Sequence, residues 1–274
     1  MRIAVVDVGN TSTSIALYAD GKISRHAHIT GGILQNRAAC AEALAKVAAG
    51  RKPLDGIALA SVVPRCMASW QRLVKSQLGV PLLSVNASVP MPIRIDYPKP
   101  ESIGADRLAD AVGAVDRYGA PVLICDFGTA LTFDLVTPEW AYIGGAICPG
   151  LPLMRDYLAE RTAQLPRMEF TGPTPKVGRS TEEAMRLGAQ IGYCGMVREI
   201  TSYLTRSTGY AFKLIATGGY AAWALRNSGM PFEIDPYLTL RGLGVIWSYA
   251  QNADAAAGVR GDRPPSPLQR KERK

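Results

Sequence analysis

The chain has 274 residues, and 47% of them are hydrophobic, which suits two lobes of ordinary domain size with ample core material. No uninterrupted apolar stretch reaches the roughly 18 residues of a membrane span and no signal-peptide pattern opens the chain, so we expect a cytoplasmic protein without membrane association. The net charge is +8, but residues 260–274 carry half of that excess in six basic and two acidic side chains, which argues against nucleic acid as a partner of the folded part.

The first half of the chain predicts seven elements in the order β-β-β-α-β-α-β. A fully apolar run from Ile3 to Val6 is typical of a strand buried on both faces, and Asp20-Gly21 marks a hairpin turn between the second and third strands. Three antiparallel strands in succession exclude a simple dinucleotide-binding unit. The predicted strands are 2–8, 12–19, 23–29, 56–63 and 80–85, and the predicted helices are 34–49 and 64–78.

A further helix is predicted from Glu101 to Tyr118, with Asp106 and Asp110 one turn apart on one face. At a helix start, Asp106 could take a proton from a hydroxyl group, and Arg107 beside it could hold a carboxylate. The alternative is an N-terminal aspartate favoured by the helix dipole, next to a surface arginine. We expect the dipole to lower the pKa of Asp106 and keep it ionised.

The second half of the chain begins in the same way as the first. Two copies of one β-β-β-α unit predict two lobes related by a pseudo-two-fold axis, with a central cleft between them. We expect an N-terminal lobe at 1–118, a C-terminal lobe at 119–250 and a disordered basic tail at 251–274. The predicted strands are 121–125, 131–136, 140–147 and 212–216, and the predicted helices are 181–205, 221–226 and 238–250.

Each half carries a D-x-G turn directly after its first buried strand, Asp7-Val8-Gly9-Asn10-Thr11 in one and Asp126-Phe127-Gly128-Thr129 in the other. A glycine lets backbone N–H groups approach an anion closely, and the neighbouring Asn and Thr side chains add neutral donors, so both turns suit phosphate binding. The aspartates repel phosphate, which indicates that a cation lies between them and the anion. The alternative is a plain tight turn with an aspartate cap.

Two more segments support this interpretation. Thr217-Gly218-Gly219 joins a strand end to a helix, where paired glycines could lie flat against a nucleobase or form an ordinary tight turn. Ser180 and Glu183 match a capping box, which leaves Thr181 available for another role. His26 and His28 are interpreted as two polar positions on an edge strand, and the five cysteines show neither a disulfide framework nor metal-ligand spacing.

In order along the chain, these motifs resemble type III pantothenate kinases, in the superfamily of acetate and sugar kinases, Hsp70 and actin. The resemblance covers about residues 2–250 and implies an α/β fold of two duplicated, ribonuclease H-like lobes, as in the actin and hexokinase ATPases. The implied reaction is ATP-dependent phosphorylation of pantothenate to 4′-phosphopantothenate, the first committed step toward coenzyme A. The residues that carry the resemblance are Asp7 to Thr11, Tyr97, Gly104 to Arg107, Asp126 to Thr129, Gly144-Gly145, Pro149-Gly150, Ser180-Thr181 and Thr217 to Gly219.

The resemblance also implies roles for individual residues. Asp106 would be the catalytic base on the pantothenate hydroxyl, and Asp126 would hold a monovalent cation, K⁺ or NH₄⁺. Mg²⁺ would accompany ATP, and Thr181 would reach the pantothenate pocket from the partner chain of a homodimer. The implied ATP-binding residues are Asp7, Val8, Gly9, Asn10, Thr11, Ser12, Thr13, Ser14 and Thr129. The implied pantothenate-binding residues are Tyr97, Gly104, Ala105, Asp106, Arg107 and Thr181.

Two rival functions stay open at this point. The fold and the phosphate turns do not fix the acceptor, so another small-molecule kinase or a phosphatase of the same fold is the first rival. A non-catalytic regulatory relative is the second. Asp110 departs from the family pattern, and its charge one turn from Asp106 could alter the pKa of the base.

Overall fold

The protein is described here by a computed structural model that covers residues 1–169, 172–226 and 228–259, with side chains as far as Ala253. These residues form two compact units. The first contains residues 1–119, 140–142 and 237–259, and the second contains 120–139 and the described residues of 143–236. Among the described residues, no helix is both long and apolar enough to cross a lipid bilayer.

A five-stranded sheet organises the first unit, with its central strand buried on both faces. Residues Ile3 to Val6 of β1 are fully buried, as their uninterrupted apolar sequence predicts. The strand order is β3-β2-β1-β4-β5, in which β1 runs antiparallel to β2 and parallel to β4. The strands are β1 (Arg2–Val8), β2 (Ser12–Ala19), β3 (Lys22–Thr30), β4 (Gly56–Ser61) and β5 (Leu82–Ser84).

Helices cover both faces of this sheet. On one face, Ala4, Val6 and Leu59 belong to a core with the buried side chains of α1 (Arg37–Ala48) and α2 (Met67–Gln77). Side chains alternate along a strand, so Ile3 faces the other way, toward α7 (Leu238–Val259), whose Trp247 packs against Gly56. The helix α3 (Ala105–Tyr118) packs against α7, and short 3-10 turns at Pro64–Cys66 and Pro100–Ser102 precede α2 and α3.

A very close crossing joins α3 to α7. A side chain at Gly242 would overlap the carbonyl oxygen of Ala109, and one at Gly113 would lie 2.6 Å from the carbonyl oxygen of Leu238. The Thr239 hydroxyl donates a 2.7 Å hydrogen bond to Asp110 at the same crossing. The two helices are therefore held at a distance that only glycine permits.

The second unit repeats the strand order of the first. Its sheet reads β11-β10-β7-β8-β9, with the short strand β6 (Arg94–Ile95) added beside β9, and β7 runs antiparallel to β8 and parallel to β10, as β1 does with β2 and β4. The duplication predicted from the sequence is therefore confirmed. The strands are β7 (Val122–Phe127), β8 (Ala130–Val136), β9 (Ala141–Pro149), β10 (Lys213–Thr217) and β11 (Glu233–Ile234), and the helices are α4 (Leu151–Arg161), α5 (Thr181–Thr208) and α6 (Ala221–Ala224).

Several element boundaries differ from the prediction. The helix predicted from Glu101 begins at Ala105, because Ile103 and Gly104 are extended. The last helix was predicted to end at Ala250 but continues to Val259 through an alanine-rich run that favours helix. The remainder of the predicted disordered tail, 260–274, lies outside the described residues. Three elements were missed: α4 and the two-residue strands β11 and β6 (Arg94–Ile95).

The predicted lobe boundaries at 118 and 119 stay a prediction. The structure adds that α7, placed by the sequence in the C-terminal lobe, belongs to the first unit through its packing on α3 and β1. The first residues of β9 also belong to the first unit, where Ala141 and Tyr142 pair with β6. The hydrophobic pattern of these two segments does not predict that they belong to the first unit.

Candidate active site

The first D-x-G turn is a short connection closed by backbone hydrogen bonds. The Gly9 N–H donates to the Ser12 carbonyl oxygen at 2.9 Å, and the Gly31 N–H donates to the Thr11 carbonyl oxygen at 2.7 Å. A Cβ atom at position 9 would lie 3.3 Å from the Ser12 carbonyl oxygen, so a larger residue would crowd the turn. Asn10 and Thr11 are exposed at its tip, where their polar groups can meet an anion.

The residues predicted to bind ATP differ in what they can offer. The side chains of Val8 and Thr13 are buried, and the Thr13 hydroxyl donates to the Gly31 carbonyl oxygen at 3.3 Å. These two residues can contribute only main-chain groups to a ligand. The Ser14 hydroxyl lies 3.3 Å from Nδ1 of His28, its neighbour across the β2–β3 ladder.

The start of α3 lies beside the first turn. The Val62 N–H donates to the Val8 carbonyl oxygen at 3.2 Å, and Val62 Cγ1 lies 3.6 Å from where a Gly104 Cβ would stand. Because Val62 contacts both segments, the end of β1 and the N-terminus of α3 meet at one edge of the first sheet. The predicted phosphate turn and the predicted base are therefore brought together within one unit.

Asp106 is held as an acceptor at the second position of α3. Its Oδ1 accepts a 2.8 Å hydrogen bond from the Arg107 N–H. Burial is the largest influence on this carboxyl and raises its pKa above the usual value, outweighing the lowering by that hydrogen bond and by the Arg107 charge. The prediction that the helix dipole would lower the pKa of Asp106 was wrong, because desolvation dominates. A raised pKa makes the carboxylate a stronger proton acceptor.

Asp110 has a structural position. It is buried in the α3–α7 crossing, where its Oδ1 accepts the hydrogen bond from Thr239. The influences on the Asp106 pKa are burial, the two backbone amides nearby and Arg107. Asp110 is thus best explained by helix packing.

A cluster of two tyrosine rings and a guanidinium group is centred on Tyr142, and its guanidinium belongs to Arg107, the residue after the predicted base. The Arg107 Cζ stands 5.9 Å from the centre of the Tyr142 ring, and the centres of the Tyr97 and Tyr142 rings are 6.3 Å apart. Tyr97 and Arg107 were predicted to bind substrate, and the structure brings them to one residue, Tyr142. Sequence reasoning missed Tyr142, because it stands in an apolar strand and no motif marks it.

The second D-x-G turn has a glycine on two sides of its carboxylate. A side chain at Gly218 (φ +89°) would overlap Oδ1 of Asp126, and a Cβ at Gly128 would lie 3.6 Å from Oδ2. Thr132 on β8 and Thr217 on β10 are the direct neighbours of Asp126 across the sheet. The Thr217-Gly218-Gly219 segment therefore adjoins the second turn, with the Tyr220 N–H donating to the Phe127 carbonyl oxygen at 3.2 Å.

Thr129 and Thr181 lie at two helix starts of the second unit. The Thr129 carbonyl oxygen accepts a 3.1 Å hydrogen bond from the Gly150 N–H at the start of α4. Ser180 caps α5, because its hydroxyl accepts from the Glu183 N–H at 3.2 Å, as the capping-box pattern predicts. Thr181 follows it and is exposed.

The chain itself offers no preformed centre for a divalent metal in its described part, since no three His, Cys, Asp or Glu side chains are grouped there suitably. His26 and His28 are exposed on β3, and the His26 ring packs edge-on against Tyr237 with 5.1 Å between centroids. The five cysteines are free thiols.

Comparison with known proteins decides the family. A sequence profile of type III pantothenate kinases matches residues 3–203. This chain belongs to the type III pantothenate kinase family. A type III pantothenate kinase of Akkermansia muciniphila is 38% identical over 245 residues, covering 89% of this chain and 98% of that protein. One from Geobacillus sp. (strain WCH70) is 35% identical over 256 residues, covering 92% and 98%.

Membership confirms the predicted family and, at the level of the family, the predicted reaction, an ATP-dependent transfer of phosphate to an alcohol group on the way to coenzyme A. It also implies ATP with a divalent metal ion, as predicted. The rival of a non-catalytic relative loses its support, since the family is defined by a kinase activity.

Solved structures confirm the predicted fold. A putative Baf family transcriptional activator from Campylobacter jejuni superposes with a TM-score of 0.58 at 17% identity, covering 91% of this chain and 99% of that one. A ROK family glucokinase from Streptomyces griseus, solved with glucose and AMPPNP, gives 0.52 at 15% identity, covering 89% and 98%. At this identity the likeness concerns the fold alone.

Proposed function

We propose that this pantothenate kinase transfers the γ-phosphate of ATP to the primary hydroxyl of pantothenate, with Asp106 as the base. The observation that carries the proposal is the position of the Asp106 carboxylate. It is oriented by the Arg107 N–H, its pKa is raised by burial, and Val62 connects its helix start to the first phosphate turn. A proton acceptor therefore stands beside a site suited to phosphate.

The chemistry requires little more than this from the protein. Phosphoryl transfer passes through a loose transition state, so alignment of the hydroxyl with the γ-phosphate and neutralisation of charge supply most of the catalysis. The hydroxyl gives up its proton late, and Asp106 receives it at a carboxylate oxygen. The peptide N–H groups of the turn from Gly9 to Thr11 would hold phosphate. Thr129, in the second D-x-G turn, is proposed as a further ATP-binding residue.

The substrate pocket is proposed to take its polarity from the start of α3. Gly104 and Ala105 place no large side chain beside Asp106, and Arg107 would supply a charge for the pantothenate carboxylate. Tyr97 offers an aromatic wall beside it. These residues match the needs of a small acid that carries a hydroxyl at its far end.

The surroundings of Asp126 fit a monovalent cation. The Asp126 carboxylate, with Thr132 and Thr217 as its neighbours across the sheet and with peptide groups that glycine leaves accessible, can offer the oxygen donors that alkali cations accept. When bound, K⁺ or NH₄⁺ would offset phosphate charge close to the second turn. Asp126→Asn should abolish both the K⁺ stimulation of turnover and the K⁺-induced rise in melting temperature of the wild type, whereas Na⁺ serves as the ionic-strength control.

A homodimer with a shared pocket is proposed from the exposed features of the second unit. Thr181 lies open at the start of α5, and Ile191 on the same helix, Tyr157 on α4 and Val177 are each more than half exposed. These exposed apolar side chains are available for contact with a protein partner. Mixing inactive Asp106→Asn and Thr181→Tyr subunits should restore activity if one chain's Thr181 completes its partner's pocket, and separate sites would give no recovery.

The main test is a coupled assay of ATP consumption with pantothenate, compared with sugars and acetate, in Mg²⁺ with and without K⁺. Asp106→Asn should lower kcat by about 10²-fold or more while KM for ATP changes little. Wild-type turnover in that variant would remove Asp106 from the role. Faster turnover of a sugar or acetate would favour the rival kinase.

A further inference from the structure

We infer that Tyr142 is a positioning residue that holds the Arg107 guanidinium where it recognises the carboxylate of the substrate, and so determines selectivity for an acid over a neutral analogue. The inference rests on the proposed function of Arg107 and extends it to a residue outside the motifs. Its basis is the arrangement of Tyr142 between Arg107 and Tyr97.

The backbone of Tyr142 is fixed on both sides. Its carbonyl oxygen accepts a 2.9 Å hydrogen bond from the Asp96 N–H, and the Arg94 N–H donates at 2.9 Å to the Trp140 carbonyl oxygen two residues earlier. These bonds form the short parallel ladder of β6 and β9, in which Ile95 is paired with Tyr142. The ring is fully buried, so it has little freedom to move. A fixed aromatic face is a suitable support for a long, flexible side chain.

The position of Arg107 on α3 gives such a support a function. It is the third residue of α3, and a cation in the first turn of a helix is disfavoured by the helix dipole. With its Cζ 5.9 Å from the ring centre, the guanidinium lies within cation–π range of the electron-rich face of Tyr142. This contact offsets part of the dipole penalty and uses none of the five guanidinium N–H donors.

The same ladder explains why Tyr97 adjoins the cluster. Tyr97 follows Ile95 by two residues and, in an extended chain, points to the same side as Ile95 and its partner Tyr142. The two rings meet at an interplanar angle of 59°. Tyr142 therefore orients both an apolar wall and the cationic group of the proposed pocket from a single buried position.

The test compares two substrates on the same protein samples, which cancels any loss of folded enzyme. One is pantothenate, and the other is its neutral alcohol, in which a hydroxymethyl group replaces the carboxylate. The variants are Tyr142→Leu, Tyr142→Phe, Arg107→Gln and the double variant Tyr142→Leu/Arg107→Gln. Tyr118→Leu is the matched control, because it removes a similar ring from Arg117 at the other end of α3.

We expect Tyr142→Leu to lower kcat/KM for pantothenate about tenfold relative to the neutral alcohol, the scale of a partly buried cation–π contact. Tyr142→Phe keeps the ring face and should retain the wild-type ratio, and Tyr118→Leu should leave the ratio unchanged. The double variant should lose no more selectivity than Arg107→Gln alone, since both changes act through one guanidinium.

The outcomes separate the inference from the function on which it rests. If Arg107→Gln affected both substrates equally, the proposed carboxylate contact itself would be wrong. If Arg107→Gln were selective and Tyr142→Leu were not, Arg107 would keep its role and the inference about Tyr142 would be overturned. Additive losses in the double variant would overturn it as well.

Discussion

Replacing Gly104 by alanine tests whether the Asp106 carboxylate acts from the position described. The backbone at Gly104 has φ −58° and ψ 138°, which alanine adopts without strain. The new methyl group would overlap Oδ1 of Asp106, while the next closest side chain, Val62, would be in ordinary contact at 3.6 Å. Among the protein's own groups, the substitution therefore acts almost entirely on the carboxylate.

The size of the effect follows from that overlap. The carboxylate has to move by about 1 Å to reach ordinary contact, and a misplacement of that size costs about 10²-fold in rate. The movement also breaks the 2.8 Å hydrogen bond from the Arg107 N–H, one of the two influences that lower the Asp106 pKa most. We therefore expect kcat to fall about 10²-fold, with the acid limb of the kcat/KM profile shifted to higher pH.

Steady-state kinetics with pantothenate and ATP would measure this, with a melting curve as the check on folding. The conformational gain of alanine over glycine in the unfolded chain offsets its weaker capping, so the melting temperature should change little. In the Asp106→Asn background the Gly104→Ala change should cost far less, since both act on one group. Two independent, multiplying losses would refute the reasoning, and so would an undiminished kcat.

Two further predictions concern stability. Gly242→Ala forces α7 away from Ala109 and should lower the free energy of unfolding by about 1–3 kcal/mol in urea titrations, whereas an unchanged midpoint would contradict the close crossing. Burial raises the folded-state pKa of Asp106, so its negative charge costs stability at neutral pH and the cost disappears as acid protonates the group. Asp106→Asn should thus melt at a higher temperature than wild type at pH 7, and at the same temperature at a pH below the pKa of Asp106 in the unfolded chain. If the difference in melting temperature grew as the pH fell, the folded-state pKa of Asp106 would be lowered and not raised.

The elements that depend on a short run of sequence were predicted correctly from the sequence. The apolar run from Ile3 to Val6 and the glycine turns after it announced the central strands, and the capping box at Ser180 placed the start of α5 correctly. The predicted phosphate turn follows the buried strand β1, and the predicted base lies at the start of α3. The two lie close together because these elements meet at one edge of the first sheet.

The features that the sequence did not predict depend on interactions between distant parts of the chain. The pKa of Asp106 is set mainly by burial, which no local pattern reveals, so the dipole argument gave the wrong direction. Tyr142 is held in place by a two-residue ladder with β6. Such a ladder is too short to produce a periodic pattern in the sequence. The attachment of α7 to the first unit comes from glycine contacts that a hydrophobic pattern does not encode.

The pairing of Asp110 with Thr239 has a consequence for biosynthesis, because the two residues are 129 positions apart. Until the ribosome has translated α7, the helix α3 lacks Thr239, the hydrogen-bond partner of Asp110. It also lacks the α7 backbone that packs against Gly113. Catalytic competence should therefore arise only once the segment from Leu238 onward has left the ribosome and packed against α3. A nascent chain stalled before residue 237 should contain every motif of the active site and still be inactive.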